Sequence, residues 1–98
     1  MSAHNNQPIA VLELLVRNHP GVMSHVCGLF SRRAYNVEGI VCLPVATGET
    51  SKIYLQVREE ERLDQIMKQI QKLSDVEGVV RYTGDHPVFT GLATYFTC

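Results

Sequence analysis

The chain has 98 residues, 45% of them apolar, with nine basic side chains against ten acidic ones and a formal charge of −1. That length makes one domain, able to bury roughly two-thirds of its unfolded surface and to hold one core without disulfides or metal. The apolar share excludes wholesale disorder, and the charge balance excludes an electrostatic footprint for DNA, RNA or an anionic membrane. Residues 1–8 are polar, carry no apolar signal segment, and read as a flexible N-terminal leader. No apolar run reaches the length of a membrane-spanning helix. Cys27, Cys42 and Cys98 cannot all pair within one chain and have no metal-site spacing. A reduced, cytoplasmic protein is the expectation.

Residues 9–16 are apolar except for Glu13, which predicts a central strand with Val11, Glu13 and Leu15 on one face and Leu12, Leu14 and Val16 on the other. Pro20 suits the first position of a helix that follows, because its missing N–H would have been unpaired there anyway. Val22, Val26, Leu29, Phe30 and Arg33 share one face of that helix, which is expected to end near Tyr35 and Asn36. A second strand over 37–46, a turn at 47–49 and a third strand over 51–58 follow. In the third strand Ile53, Leu55 and Val57 alternate with Lys52, Tyr54 and Gln56, as in a half-buried strand. Pro44 places the second strand at an edge, since proline cannot donate to a ladder. Glu59, Glu60 and Glu61 are expected as a solvated first turn of a second helix, where the dipole favours negative charge, with Leu63, Ile66, Met67, Ile70 and Leu73 as its apolar stripe. A fourth strand covers 75–82, interrupted or entered at Gly78.

The order strand, helix, strand, strand, helix, strand predicts an α+β, ferredoxin-like βαββαβ sandwich: a four-stranded antiparallel sheet with two helices on one face, over residues 9–84. The other face then lacks a cover, with Val11, Leu15, Tyr54 and Tyr82 as candidate outward residues, which marks an interface. Residues 85–98 form a tail, either a further strand or a docking segment.

The chemistry concentrates in Asn18-His19-Pro20-Gly21-Val22, between the first strand and the first helix. Amides at a helix start have no helical acceptor and sit at the positive end of the dipole, so a small carboxylate or phosphate can bind there without a cationic side chain. The alternative is a plain capped helix start. Gly21 favours a ligand, because a glycine just inside a helix costs roughly 1 kcal/mol against alanine while letting a ligand approach the backbone. Asn36, at the other end of the helix, is either a left-handed cap or a polar ligand contact. His19 and His25 lack the i, i+4 spacing of a metal pair, His4 and His86 stand alone, and no nucleophile–histidine–acid set is recognisable. Gly28 reads as a site of close helix–sheet packing, and Arg32-Arg33 as a solvated pair. Among proteins of this topology, RNA binders carry aromatics on the third strand and metal chaperones carry two cysteines in the first loop; neither pattern is present. A small acyl-phosphate hydrolase is an alternative with Arg17 and Asn36 as its only foothold.

The stretch from Val16 to Val41, VRNHPGVMSHVCGLFSRRAYNVEGIV, resembles the ACT domain of acetohydroxyacid synthase (acetolactate synthase) small regulatory subunits. The pattern is Asn-x-x-Gly, then Val, then Leu-Phe-Ser-x-Arg-x-Tyr-Asn-Val/Ile-Glu, and the similarity continues through 63–76. The short length and the Cys42-Leu43-Pro44 strand look most like the isozyme I type, which has this one domain where longer relatives add a second. Ala34 stands where many relatives have glycine, and His19-Pro20 differs from their loop. The resemblance implies a non-catalytic subunit that binds the catalytic large subunit, raises its activity and confers feedback inhibition by valine. It implies a homodimer with valine at the interface, held by Asn18, Gly21 and Val22 of one chain and Asn36 and Val37 of the other. Thiamine diphosphate, Mg²⁺ and FAD would belong to the large subunit, with none in this chain. A free-standing amino-acid-binding ACT module acting on another enzyme or a transcription regulator is the alternative.

Overall fold

A computed structural model describes residues 8–96. Its elements run β1 (Ile9–Arg17), α1 (Val22–Arg32), β2 (Val37–Val45), β3 (Thr50–Arg58), α2 (Leu63–Gln71), β4 (Val76–Thr83) and α3 (Pro87–Ala93). The strands form one sheet in the order β2-β3-β1-β4, antiparallel throughout. The two central strands are the two that bury residues, and β2, with Pro44 near its end, is an edge as its proline requires.

The alternation in β1 divides the sheet cleanly. Ala10, Leu12, Leu14 and Val16 point to one face, where they join Ile53, Leu55 and Val57 of β3. Val22, Val26, Leu29 and Phe30 of α1 and Leu63, Ile66 and Ile70 of α2 close that core from above. Met67 and Leu73 complete the α2 stripe as partly buried neighbours. β4 carries an irregularity opposite Leu15 and Val16, which puts Glu77 out of register just before Gly78.

Four details differ from the sequence reading. Helix α1 begins at Val22, not at Pro20: His19 C=O accepts from Val22 N–H at 3.1 Å, and Gly21 has φ 90° and ψ −6°. Proline followed by a left-handed glycine is the signature of a type II turn, which keeps both residues out of the helix. The left-handed residue after α1 is Ala34, with φ 52°, so Asn36 is not that cap. Gly28 faces Arg32, whose guanidinium lies 3.0 Å from where a Cβ would stand, and not the sheet. The glutamates at 59–61 precede α2 instead of opening it, and two of them are paired: Glu59 with Arg81 at 2.6 Å and Glu60 with Arg62 at 2.9 Å.

The second sheet face is not bare. Residues after Gly84 turn back and form α3, not a further strand. His86 caps α3 by accepting from Val88 N–H at 3.1 Å through Nδ1, with Pro87 in the first turn. The His86 ring packs on Tyr54 and Tyr82 at 5.1 and 4.8 Å between centroids. Phe89 sits over Gly39, 2.8 Å from the position of an absent Cβ. Val11, on this face between Gln56 and Tyr82, is fully buried. All of the expected leader except Pro8, and Cys98, lie outside the described residues.

Candidate functional site

The turn from Asn18 to Val22 is anchored on three sides. Arg17 N–H donates to Asp75 C=O at 2.8 Å, Asn18 N–H to Glu49 C=O at 2.9 Å, and the Asn18 amide Nδ2 to Gly48 C=O at 2.8 Å. The Asn18 side chain therefore ties the turn to the β2–β3 hairpin through its NH₂ group. Its side-chain oxygen takes no donor among the described residues. His19 Nδ1 lies 3.6 Å from Asp75 Oδ2.

The amide inventory follows from these bonds. Val22 N–H is spent on His19, and His25 N–H on Gly21 C=O at 3.0 Å. The N–H groups of Gly21, Met23 and Ser24 have no acceptor among the described residues. No side chain caps this end of α1, and no acidic residue stands in its first turn. The positive end of the dipole is thus left without an anion of its own. Gly21 is exposed, and a Cβ there would meet nothing within 4 Å, so the approach is open. The Val22 side chain is buried in the core and lines a cleft of about 350 Å³ with His25, Lys72, Leu73, Ser74 and Asp75. Met23 and Ser24 escape a sequence reading because their contribution is main-chain; only the type II turn signature of Pro-Gly would locate them.

Asn36 and Val37 lie elsewhere. They follow α1, whose length of 11 residues sets them about 16 Å from its start. Tyr35 fixes that segment: it is buried, stacks edge-on against Phe30 at 5.8 Å, donates its hydroxyl to Arg58 C=O, and lies beneath the Arg62 guanidinium at 5.0 Å. Burial, with Glu60 nearby, pushes the Tyr35 phenol up to about 12. Asn36 is exposed, and its side chain takes no partner among the described residues. Val37 is half-buried and opens β2 opposite Val57. One protomer therefore brings Asn18, Gly21 and Val22 together and leaves Asn36 and Val37 at the far end of the sheet. Arg17 is likewise remote from Asn36, and it faces Glu77 at 3.5 Å, so the hydrolase alternative loses its only pair.

A second polar group of residues lies under α3. Glu13 accepts from Tyr54 and Tyr82 hydroxyls at 2.5 and 3.0 Å and faces Lys52 at 3.3 Å. The Tyr54 hydroxyl, then Tyr82 and Lys52, hold the Glu13 carboxyl below the usual carboxylate range against the opposing effect of burial. The same bond and burial push Tyr54 up to about 12. The carboxylate is saturated by its own chain, which makes it a brace for the face and not a ligand site. Among the described residues no three His, Cys, Asp or Glu side chains converge as metal ligands.

The model of the AHAS small subunit-like ACT domain matches residues 12–77, which hold both the turn and Asn36. The acetolactate synthase isozyme 1 small subunit of Escherichia coli K12 is 52% identical over 95 residues, covering 97% of this chain and 96% of that one. The isozyme 3 small subunit of the same organism is 42% identical over 67 residues, 67% of this chain and 41% of its own length. A crystal structure of the acetolactate synthase small subunit of Thermotoga maritima superposes with a TM-score of 0.66 at 34% identity, covering 74% of this chain and 46% of that one. Family model, sequence identity and superposition thus agree, and the chain belongs to the acetohydroxyacid synthase small-subunit family of ACT domains, the regulatory and not the catalytic side of that enzyme.

Proposed function

We propose that this chain senses valine at the seam of a homodimer and passes the signal to a catalytic large subunit. Membership of a small-subunit family implies that large subunit as a partner, and the enzyme's cofactors belong there. The observation that carries the ligand reading is the set of unspent amides on Gly21, Met23 and Ser24 at an uncapped helix start. They suit the carboxylate of an amino acid, with the Asn18 side-chain oxygen free to take its ammonium group.

The dimer reading rests on the sheet edges. β4 carries Glu77, Arg81 and an irregular register, features that discourage pairing. β2 has an uncharged stretch from Gly39 to Leu43, with Ile40, Cys42 and Leu43 exposed. A second β2 laid antiparallel on this edge sets its Val37 beside Val45, at the end where Asn18 grips the hairpin. Asn36 and Val37 of the second chain then face Asn18, Gly21 and Val22 of the first. A site shared by two chains senses their arrangement, and valine shifts that arrangement by its difference in affinity. Two or three charge-assisted bonds and a buried isopropyl group, less the cost of association, correspond to a dissociation constant of about 10 μM to 1 mM. A coupling of about 1–3 kcal/mol changes the state of the catalytic partner roughly 5- to 150-fold. The chain acts in the cytoplasm, beside the synthase whose small subunits it resembles. No helix among the described residues is long and apolar enough to cross a membrane.

Titration of the purified chain with valine, leucine and isoleucine, alone and with the catalytic subunit, tests the reading. Gly21→Asp puts a carboxylate at the mouth of the amide cluster, and the expected result is loss of valine binding with an unchanged circular dichroism spectrum. Full valine inhibition of the reconstituted Gly21→Asp enzyme would remove the turn from the site.

A further inference from the structure

Helix α3 crosses the second sheet face in a definite direction. It starts where His86 packs on Tyr54 of β3 and Tyr82 of β4, passes Gly39 of β2 at Phe89, and ends at the β2 edge. There Phe89, Leu92, Ala93 and Phe96 form one wall of a mostly apolar groove of about 360 Å³, with Gly39, Ile40 and Val41 on the other and with Glu38 and Gln56 also lining it. Gly39 shapes the groove, because any side chain at that position would lift Phe89. The groove opens at the edge with Phe96 80% exposed, so α3 stops short of finishing its own protomer.

The same strand carries a residue of matching chemistry. Leu43 pairs with Lys52, which places it on the α3 side of the sheet, and it is 63% exposed with no cover of its own. The midpoint of β2 is Val41. In an antiparallel pairing of two β2 strands centred there, Leu43 of one chain stands opposite Gly39 of the other, beside Phe89. We infer that the groove between α3 and β2 is the socket for Leu43 of a second copy of this chain, and that the two-fold fills both sockets at once. This rests on the β2 seam proposed above and adds what holds it.

Area favours the same occupant. β2 is nine residues long, so its edge measures about 30 Å by about 10 Å, or about 600 Å² for both partners. A specific interface needs about 1,200 Å² or more. Strand pairing alone falls short, and two sockets filled by leucine, with the exposed Phe96 at the mouth of each, supply the missing contact.

Cross-linking of the full chain separates the socket from the seam. A chain keeping only Cys42 (Cys27→Ser, Cys98→Ser) is treated with a bis-maleimide spanning about 8 Å, the reach of diagonal cross-strand neighbours; a covalent dimer reports the seam. Thiol-free chains carrying Leu43→Cys or Ala93→Cys are then mixed and treated alike; a covalent heterodimer is expected from the socket. A Cys42 dimer without the mixed product overturns the socket and leaves the seam standing, whereas absence of both products overturns both. By sedimentation equilibrium, Phe96→Ala is expected to weaken self-association at least tenfold and Leu43→Asp at least a hundredfold. Unchanged self-association in both variants, with weakened capture of the catalytic subunit, would assign the groove to that subunit and overturn the inference.

Discussion

The two faces of one sheet are built on opposite plans. The face under α1 and α2 is closed by hydrocarbon: every β1 and β3 side chain there from Ala10 to Val16 and from Ile53 to Val57 is fully buried. The face under α3 is closed at its β1–β3–β4 part by a carboxylate, two phenols, an ammonium group and an imidazole around a buried Val11, and at its β2 edge by Phe89 over Gly39. No residue of α3 is itself buried. The first face supplies cohesion; the second trades cohesion for direction, since hydrogen bonds fix geometry while apolar contact does not. A seven-residue helix can then be held in one orientation with little apolar surface.

Substitutions on each side sharpen this contrast. Ile66→Ala removes a fully buried side chain from the apolar face and is expected to cost about 2–5 kcal/mol in urea denaturation, with one cooperative transition. Glu13→Gln acts on the polar face, where the carboxyl is only 14% exposed, and is expected to cost about 1–2 kcal/mol at neutral pH. Its pH signature is distinct. The folded Glu13 binds a proton less readily than the unfolded one, so its stabilisation is complete above the ordinary glutamate value and is lost as pH falls through the depressed folded value. Melting temperatures followed from about pH 6 down to pH 3 should fall less steeply in Glu13→Gln than in the natural chain; parallel curves would detach Glu13 from acid unfolding. Gly39→Ala lifts Phe89 and is expected to cost about 1 kcal/mol. In hydrogen exchange it should expose amides of α3 while those of β1 and β3 keep their protection. Ala34→Gly touches neither face: it relieves a left-handed alanine at the end of α1 and should raise stability by about 0.5 kcal/mol, the relief less the glycine's entropy.

The apolar face was legible because its cause is local. Alternation in β1 and β3 and the stripe of α2 state which side chains turn inward, and Pro44 states that β2 is an edge. Of the polar face, the outward placing of Tyr54 and Tyr82 with Val11 and Leu15 was legible, and the alternation of β1 put Glu13 with Val11 and Leu15. That the two phenols converge on Glu13 and that His86 stacks on them was not, because the four are far apart in the chain and nothing in their spacing announces that they meet. The same holds for Glu59 and Arg81. Helix α3 left one local mark, His86-Pro87 as a cap and first helical residue, but Thr90 and Gly91 weaken the pattern behind it. At the candidate ligand turn, Asn18 and Gly21 stood out by type. The turn through Pro20 and Gly21 that brings Val22 N–H to His19 C=O, and the open amides of Gly21, Met23 and Ser24, follow from turn geometry that residue identity alone only suggests. Asn36 shows the limit differently: its place at the far end of α1 is readable, yet the role proposed for it depends on another chain.

The three open amides at the start of α1 belong to peptide groups, which neither gain nor lose a proton in living cells and cannot be acetylated or phosphorylated. Replacing Met23 or Ser24 by another non-proline residue leaves the same N–H in the same direction. If the proposed site holds an amino acid's carboxylate, selection can retune what lines the neighbourhood, and so which metabolite is preferred, while the hold on the acid end passes unchanged from one sequence to the next.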